Sequence, residues 1–240
     1  AVIYRENRDA LALATMLGRL DVPYNIESNQ DLLEDSVVRK LLRILNAVNN
    51  FGQSDLFIES LHLDWLEIEP FDIFKFTVAV GKMQANAYEA ARHEHFLREA
   101  GIEQIEKIQQ WYEKIARWHT LAQGEDATVA FETIFRDSGL LASILRGDDS
   151  AAVIGKINAL FDEVQALIEK KRSATLKDFM AYLEMLDKHE IRLKKNADGG
   201  QAGRVRLMTA HGSKGLEFAH VYIPYLCDKH WGNKTHRELI

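Results

Sequence analysis

Cysteine and proline are scarce in this sequence. Its 240 residues include one Cys and three Pro. The lone Cys227 excludes an internal disulfide framework and fits a reducing compartment. Few prolines together with many leucines and alanines favour helices. We therefore expect a largely helical protein of the cytoplasm.

Long apolar runs are also missing. No stretch approaches the ~20 apolar residues that a membrane-spanning helix needs, so we expect no membrane contact. The apolar residues 1–4 are followed at once by charged ones, and we expect no signal peptide. A chain that opens on a strand without Met is expected to be a piece of a longer protein.

The charge balance is acidic. Lys and Arg number 30 against 36 Asp and Glu, which gives a net charge of −6. Because modules dedicated to nucleic acids are usually basic, this balance argues against tight DNA binding by the chain alone. The acidic charge is still compatible with a chain that forms one side of a DNA-binding cleft shared with another domain. A hydrophobic share of 47 % and a charged share of 28 % suit a folded protein of one or two domains.

Hydrophobic spacing at the start of the chain is typical of a parallel α/β unit. Strand patterns at 1–4 and 22–26 alternate with helix patterns at 7–19 and 31–48. Either Asn7 or Asp9 is a candidate cap for the first helix, since both side chains can accept hydrogen bonds from a free helix end. The first 50 residues therefore predict two strands and two helices of one sheet domain.

From residue 54 the pattern is helical. Apolar residues recur at three- and four-residue spacing in the segments 55–62, 71–83, 86–98, 102–121, 127–135, 140–145, 150–171 and 176–190. Thr175 and Asp178 form a capping-box pattern before the last segment. Residues 196–203 have the composition of a linker, and strand patterns return after it. The sequence thus predicts an α/β fold, a partial parallel sheet domain interrupted by a mostly α-helical insertion.

The segment 204–226 holds the candidate site. Residues 204–209 alternate as a strand, polar residues 210–215 break it, and an apolar run at 220–226 predicts a further strand. Ligand sites of α/β sheets lie in the loops where strands end. Gly212 and Gly215 let the backbone approach a partner closely, and backbone amides in such loops suit a phosphate.

Two strings connect the ends of the chain with one family. Residues 209–218 read T-A-H-G-S-K-G-L-E-F and resemble motif V of the UvrD/Rep-type superfamily 1 DNA helicases. Residues 1–8 read A-V-I-Y-R-E-N-R and resemble motif IV of that family, a strand ending in Tyr-Arg-x-Asn. Weaker likenesses occur at 34–41 and 137–140. The resemblance implies that the chain ends form the second RecA-like domain, called 2A, and that the middle is the insertion called 2B.

The resemblance also implies boundaries for these domains. The first segment of 2A, with a helical extension, would cover residues 1–100. The 2B-like insertion would cover 101–202, and 203–240 would return to 2A with motif V.

A nucleotide-binding role is implied for four residues. Tyr4 would stack on adenine, and Arg5 would act as the catalytic residue that contacts the γ-phosphate, a role that suits a planar, always charged group. Glu217, on a short helix after the loop, would accept a hydrogen bond from the ribose. Gly215 would let the backbone approach the nucleotide.

The same likeness places one side of the loop on DNA. Thr209, His211, Ser213 and Lys214 carry hydroxyl, imidazole and ammonium groups, which contact phosphates without reading sequence. The implied partners are single-stranded DNA, a duplex junction and the first RecA-like domain of the same protein. The implied activity is ATP-dependent translocation or unwinding with 3′-to-5′ polarity, in DNA repair, recombination or replication.

Parts of the family pattern are missing. The sequence contains no G-x-x-x-x-G-K-[ST] phosphate cradle, and the family's arginine motif that follows motif V is absent. Residues 162–165, Asp-Glu-Val-Gln, spell the family's metal and water motif but lie in a helical pattern, so we interpret them as a solvated helix face. ATP with Mg²⁺ would be bound mainly by the missing first domain, and this fragment alone is not expected to hydrolyse ATP.

No metal site is expected from the histidines. His93 and His95 point to different faces of a helix, and neither they nor the cluster at 230–236 has cysteine partners. Two alternatives stay open for the function. One is the helicase part of a helicase-nuclease of the RecB or AddA type. The other is a helical interaction module on a degenerate helicase that no longer hydrolyses ATP.

Overall fold

The chain folds into two compact units in a computed structural model. The first unit contains residues from both ends of the chain, 1–31 and 194–240, and the second contains Leu32–Leu193. The structure describes residues 1–27, 31–147, 150–189, 191, 193, 203–227, 230 and 231.

The first unit is built on a small parallel sheet. Its strands are β1 (Val2–Tyr4), β2 (Tyr24–Glu27) and β3 (Val205–Thr209). β3 lies in the middle, in the order β1-β3-β2, and Tyr4 pairs with Thr209. Helix α1 (Asn7–Arg19) connects β1 to β2. The prediction that both ends of the chain share one parallel sheet is confirmed.

The amino end of α1 is capped by acidic residues. The N-cap is Glu6, whereas the sequence predicted Asn7 or Asp9. Asp9 lies in the first turn instead, where its carboxylate accepts a hydrogen bond from the Glu6 N–H at 3.1 Å. A carboxylate at this end satisfies an orphan donor and meets the positive end of the helix dipole, so an acid three positions after the N-cap residue also takes part in the cap.

The apolar run at 220–226 forms a single bridge, and the strand predicted there is wrong. Tyr222 pairs in parallel with Val2 of β1, and its carbonyl accepts a hydrogen bond from the Ile3 N–H at 2.8 Å. Pairing stops soon afterwards, because Pro224 has no N–H to donate and Tyr225 has a left-handed φ of 56°.

The second unit is helical. Its helices are α2 (Ser36–Asn49), α3 (Ser54–Leu61), α4 (Pro70–Met83), α5 (Ala87–Arg92), α6 (Glu94–Glu99), α7 (Ile105–Gly124), α8 (Ala127–Asp137), α9 (Leu140–Leu145), α10 (Ser150–Lys170) and α11 (Leu176–Lys188). Thr175 and Asp178 form the predicted capping box before α11. Within the described part of the chain, no helix has the length and apolar character to span a membrane.

The helix predicted at 86–98 is divided into α5 and α6. His93 has extended φ and ψ of −98° and 106° and ends one helix while it caps the next. Ala91 and Leu97 are both fully buried. On one straight helix they would point about 120° apart, because successive residues turn by roughly 100°. The break lets both side chains reach the same core.

α2 belongs to the helical unit, although the sequence placed it in the parallel α/β part. It packs against α3, α7 and α11. Its buried residues are Val38, Leu41, Ile44, Leu45, Ala47 and Val48. An apolar surface this wide needs partners on several sides, and a bundle of helices supplies them better than one sheet face does.

The helical unit begins and ends at neighbouring points. The Leu32 N–H donates to the Leu193 carbonyl at 2.7 Å. Lys156 of α10 pairs with Asp35, the N-cap of α2, at 2.5 Å. A unit whose first and last residues are neighbours can be inserted in another domain with little strain, because the chain enters and leaves it at nearly the same place. α5 and α6 share one core with α7, and the boundary at residue 100 stays a prediction.

The acidic string at 162–165 lies within α10, as its helical pattern predicted. Val164 is buried, and Glu163 accepts a hydrogen bond from the Tyr182 hydroxyl at 2.9 Å. Burial and this bond raise the pKa of Tyr182 to about 12. Glu163 therefore joins α10 to α11.

A pair of side chains caps α4 and α7 reciprocally. Asp72 of α4 accepts from the N–H groups of Glu103 and Gln104 at 3.0 and 2.8 Å, just before α7. The Gln104 side chain in turn accepts from the N–H of Glu69, the N-cap of α4, at 2.7 Å. Lys75 pairs with Asp72 at 3.1 Å. Each helix thus satisfies orphan donors of the other.

We predict that Asp72→Asn destabilises the protein at neutral pH. Burial alone would raise the pKa of Asp72, but the bonds from Gln104, Lys75 and Glu103 outweigh burial and hold the pKa below its ordinary value. The carboxylate therefore stabilises the fold above the unfolded-state pKa, and this contribution is lost as pH falls through the folded-state pKa. Urea denaturation at pH 7 should show a loss of about 1–3 kcal/mol, because one charged acceptor is lost.

A matched control for this variant is Asp64→Asn. Asp64 also pairs with a lysine, Lys40 at 2.9 Å, but 62 % of its side chain is exposed. Its replacement should cost less than about 1 kcal/mol. The reciprocal cap would be refuted by equal losses in the two variants, or by an Asp72→Asn loss that persists unchanged at pH 3.

Candidate functional site

The carboxyl ends of β1 and β3 place motif IV beside motif V. Tyr4 and Thr209 are the last residues of the two strands and pair with each other. The Ala210 N–H continues the ladder by donating to the Tyr4 carbonyl at 3.0 Å. Arg5 and the loop that begins at Ala210 therefore leave the sheet side by side, at the edge where parallel sheets bind ligands.

Consecutive turns shape this loop. Thr209 accepts twice, with its hydroxyl from the Gly212 N–H at 3.1 Å and with its carbonyl from the Ser213 N–H at 3.0 Å. Gly215 has a φ of +84°, which a residue with a side chain rarely adopts. This conformation ends the turns, so the short helix predicted for Glu217 is absent from the described residues 210–217, and Glu217 lies in an irregular segment.

The loop presents groups of both charges to solvent. His211, Lys214, Gly215 and Glu217 are exposed. The Ser213 hydroxyl donates to the Ala210 carbonyl at 3.0 Å, so it also serves the shape of the loop. The structure thus brings the predicted residues of both the DNA side and the nucleotide side into one loop, and the assignment of each side stays a prediction.

A cation–π contact that the sequence did not indicate closes the loop. The Arg206 guanidinium of β3 lies 4.9 Å from the centre of the Phe218 ring. The alternating pattern of the strand predicted that Arg206 faces the side opposite to Val205 and Leu207. Nothing in the sequence indicated that Phe218 would be its partner. Such a contact contributes about 0.5–1 kcal/mol at an exposed site and holds the segment after Glu217 against the strand.

Tyr4 is part of the core in this structure. Its side chain is 1 % exposed and packs with Ala10, Ala14 and Leu207. The ring offers no face to a nucleotide in this conformation, because a base needs an open ring surface to stack. Adenine stacking by Tyr4 stays a prediction and requires that α1 or the strand end move.

Arg5 is half-buried and its guanidinium is engaged within the unit. Its Nη1 donates to the main-chain carbonyl of His230. The His230 imidazole Nε2 lies 3.0 Å from Asp9 Oδ2, so a residue near the carboxyl end of the chain connects Arg5 to α1. No pattern in the sequence indicated this connection, because Asp9 and His230 are separated by 221 positions.

The donors at this edge suit a polyphosphate, whereas a metal site is not evident. Arg5 and Lys214 supply cationic donors, which phosphates prefer, whereas the N–H groups of Gly212 and Ser213 already donate to Thr209. Across the part of the chain that the structure describes, no three His, Cys, Asp or Glu side chains come together as ligands. His93 and His95 each lie near a glutamate, Glu89 at 3.9 Å and Glu99 at 3.5 Å. The residues 232–236 of the second histidine cluster lie outside the described residues.

The comparison with known families agrees with both motifs. The sequence pattern of the UvrD-like helicase C-terminal domain matches residues 1–238. This chain belongs to the UvrD-like helicase C-terminal domain family. The family match covers nearly the whole chain, and it confirms the resemblance to UvrD/Rep-type superfamily 1 helicases that the two strings predicted.

Individual relatives are distant but aligned over most of the chain. The ATP-dependent DNA helicase Rep of Buchnera aphidicola from Acyrthosiphon pisum is 23 % identical over 233 residues, which cover 95 % of this chain and 36 % of the relative. An ATP-dependent helicase/nuclease protein of Leuconostoc mesenteroides is 24 % identical over 225 residues, 93 % of this chain and 17 % of the relative. The chain therefore spans about a third or less of the length of these curated relatives.

We predict that Thr209→Val loosens the loop of this UvrD-like domain. Valine has nearly the shape of threonine but cannot accept the Gly212 N–H. A typical hydrogen bond contributes about 1 kcal/mol, so the Gly212 amide should exchange its hydrogen roughly fivefold faster. Amide exchange followed by NMR measures this directly.

Thr209→Ser is the matched control, since it keeps the hydroxyl. Its Gly212 amide should exchange within about twofold of the original rate. If valine and serine give the same rate, the Thr209 hydroxyl does not hold the loop.

Proposed function

We propose that this chain is the second half of the motor of an ATP-dependent DNA helicase or translocase. The observation that carries the proposal is the pairing of β1 with β3, which sets Arg5 beside the loop 210–217 at the ligand-binding edge of a parallel sheet. ATP would bind between this edge and a first RecA-like domain that carries the phosphate cradle. This chain alone would then have no ATPase activity.

On the nucleotide side, Arg5 supplies the main chemistry. Its guanidinium is a fork of five donors that can stabilise the negative charge developing on the γ-phosphoryl group. Glu217 accepts a hydrogen bond from the ribose, and Gly215 admits the nucleotide close to the backbone. Tyr4 contacts the adenine only after α1 or the strand end has moved, because its ring is buried in this structure. Residues of the first domain would hold most of the Mg²⁺ that accompanies ATP, and the ion would screen the phosphate charge.

On the DNA side, the loop contacts the phosphates of a single strand. His211 and Lys214 are exposed and supply an imidazole and an ammonium. Thr209 and Ser213 add hydroxyls, although both already shape the loop. Contacts of this kind hold the backbone without reading sequence, as a motor that moves along DNA requires.

Coupling between the two sides follows from the shared loop. Glu217 and Lys214 lie three positions apart, so closure of the cleft on ATP moves the DNA contacts as well. We assign residues 1–100 and 203–240 to the 2A domain, with the helices of the helical unit up to residue 100 as its helical extension. We assign 101–202 to the 2B-like insertion, which would meet the duplex junction. Translocation would run 3′-to-5′, in a process of DNA repair, recombination or replication.

A helicase-nuclease is the second candidate. It is favoured by the match to the Leuconostoc protein, whose name describes it as a helicase/nuclease. The motor chemistry of this chain would be the same in both cases. A nuclease domain elsewhere in the same protein would decide between them.

We predict that Arg5→Ala and His211→Ala impair the full-length protein in different ways. Arg5→Ala should lower ATP turnover by ~10³-fold, with and without DNA, because the charge on the transition state loses its partner. His211→Ala should reduce the stimulation by DNA more than it lowers DNA-independent turnover. A plot of the logarithm of the DNA-binding constant against the logarithm of the salt concentration has a slope set by the number of phosphate contacts. Losing one contact should make this slope shallower by about one unit. ATPase assays with and without oligothymidine, together with binding at several salt concentrations, provide both readouts.

Arg19→Ala and His220→Ala are matched controls for these variants. Arg19 and His220 are exposed and lie outside the loop 210–217. Both controls should retain turnover and DNA stimulation. If His211→Ala instead loses basal turnover while DNA stimulation stays complete, the loop faces the nucleotide and the two sides are assigned wrongly.

A further inference from the structure

A short segment near the carboxyl end of the chain contacts Arg5. The His230 carbonyl accepts a hydrogen bond from Arg5 Nη1. The His230 side chain points to the other partner, with Nε2 3.0 Å from Asp9 Oδ2. One residue thus holds the guanidinium with its main chain and attaches to α1 with its imidazole.

The segment that carries His230 is closed on itself. The Trp231 indole N–H donates to the Pro224 carbonyl at 3.1 Å. The Cys227 carbonyl accepts from the N–H groups of His230 and Trp231 at 3.2 and 3.1 Å. The Tyr225 ring meets the imidazole edge to face, with centroids 6.0 Å apart. These contacts give the His230 carbonyl a defined place.

Asp9 holds the His230 imidazole in place. It lies in the first turn of α1, and its side chain is 10 % exposed. The same Oδ2 accepts from the Glu6 N–H at 3.1 Å, which restrains the carboxylate. A histidine with a proton on Nε2 donates to this oxygen whether the ring is neutral or charged.

We infer that His230 is a positioning residue that orients Arg5 for the γ-phosphate. This inference rests on the proposed function of Arg5. A free arginine side chain has many rotamers, and fixing it before ATP arrives removes that entropy from the catalytic step. The guanidinium has five N–H donors, so a bond from one of them to a carbonyl is compatible with a phosphate contact by others. The contacts within the segment shape it, whereas the bond of the imidazole with Asp9 attaches the segment, and with it the carbonyl of residue 230, to α1.

A double-mutant cycle in the full-length protein tests this inference. His230→Ala should lower kcat about tenfold and change the KM for ATP by less than about threefold, since binding contacts remain and only alignment is lost. Arg5→Ala should lower kcat by ~10³-fold. The double variant should be no slower than Arg5→Ala, because His230 acts only through Arg5. Single-turnover assays resolve the slow variants.

His230→Gln is the rescue variant, because its amide N–H₂ can reach Asp9 much as Nε2 does. It should recover most of the kcat that His230→Ala loses. Thermal melting and oligothymidine binding should be alike in both His230 variants, which separates positioning from unfolding. Asp9 stays unchanged in these variants, since it also caps α1.

The outcomes separate the inference from the function on which it rests. If Arg5→Ala keeps full turnover, the proposed function of Arg5 fails. If Arg5→Ala is inactive while His230→Ala is fully active, or if the losses multiply in the double variant, His230 does not act through Arg5 and the inference fails. An equal loss in His230→Gln and His230→Ala would also overturn it.

Discussion

The position of β3 between β1 and β2 is the constraint on which the rest of the first unit depends. β3 comes from the far end of the chain, and its parallel pairing with both partners joins the two ends over more residues than the single bridge of Val2 with Tyr222 does. Because parallel strands end at one edge, this pairing fixes where Arg5 and the loop 210–217 emerge. Weakening β3 would separate the proposed nucleotide contacts from the proposed DNA contacts.

The helical unit lies in sequence between the two segments of the sheet unit, and its own first and last residues meet. The bond from Leu32 to Leu193 closes it at the boundary, and the reciprocal cap of Asp72 and Gln104 joins helices that lie on either side of residue 100. A UvrD-like domain can in this way carry a large helical unit between the two chain segments that form its sheet.

Much of this arrangement could be predicted from the sequence, since strong periodicity and capping patterns are local. The helices from α3 to α11 and the capping box at Thr175 follow from such patterns, except that the single helix predicted at 86–98 is divided into α5 and α6. The strand predicted at 220–226 did not form, because one Pro and one left-handed residue outweighed its apolar pattern. α2 was placed in the wrong unit, because its spacing shows an apolar surface but gives no indication of which partner covers it.

The candidate site was predictable only in part. The motif strings identified the loop and Arg5, and the structure places them side by side. The contacts of Arg206 with Phe218 and of Asp9 with His230 join residues 12 and 221 positions apart, so neither helix nor strand periodicity could indicate them. The burial of Tyr4 depends on how α1 packs on the sheet, which is a tertiary property.

The most direct test of the central claim is a structure of the full-length protein with a non-hydrolysable ATP analogue and oligothymidine. The first measurement is the distance from the Arg5 guanidinium to the γ-phosphate. The second is the distance from the side chains of Thr209, His211, Ser213 and Lys214 to the phosphates of the DNA backbone. We expect hydrogen-bond distances at both places, about 2.7–3.2 Å. A γ-phosphate held elsewhere, with Arg5 remote from the nucleotide and the loop remote from DNA, would contradict the account.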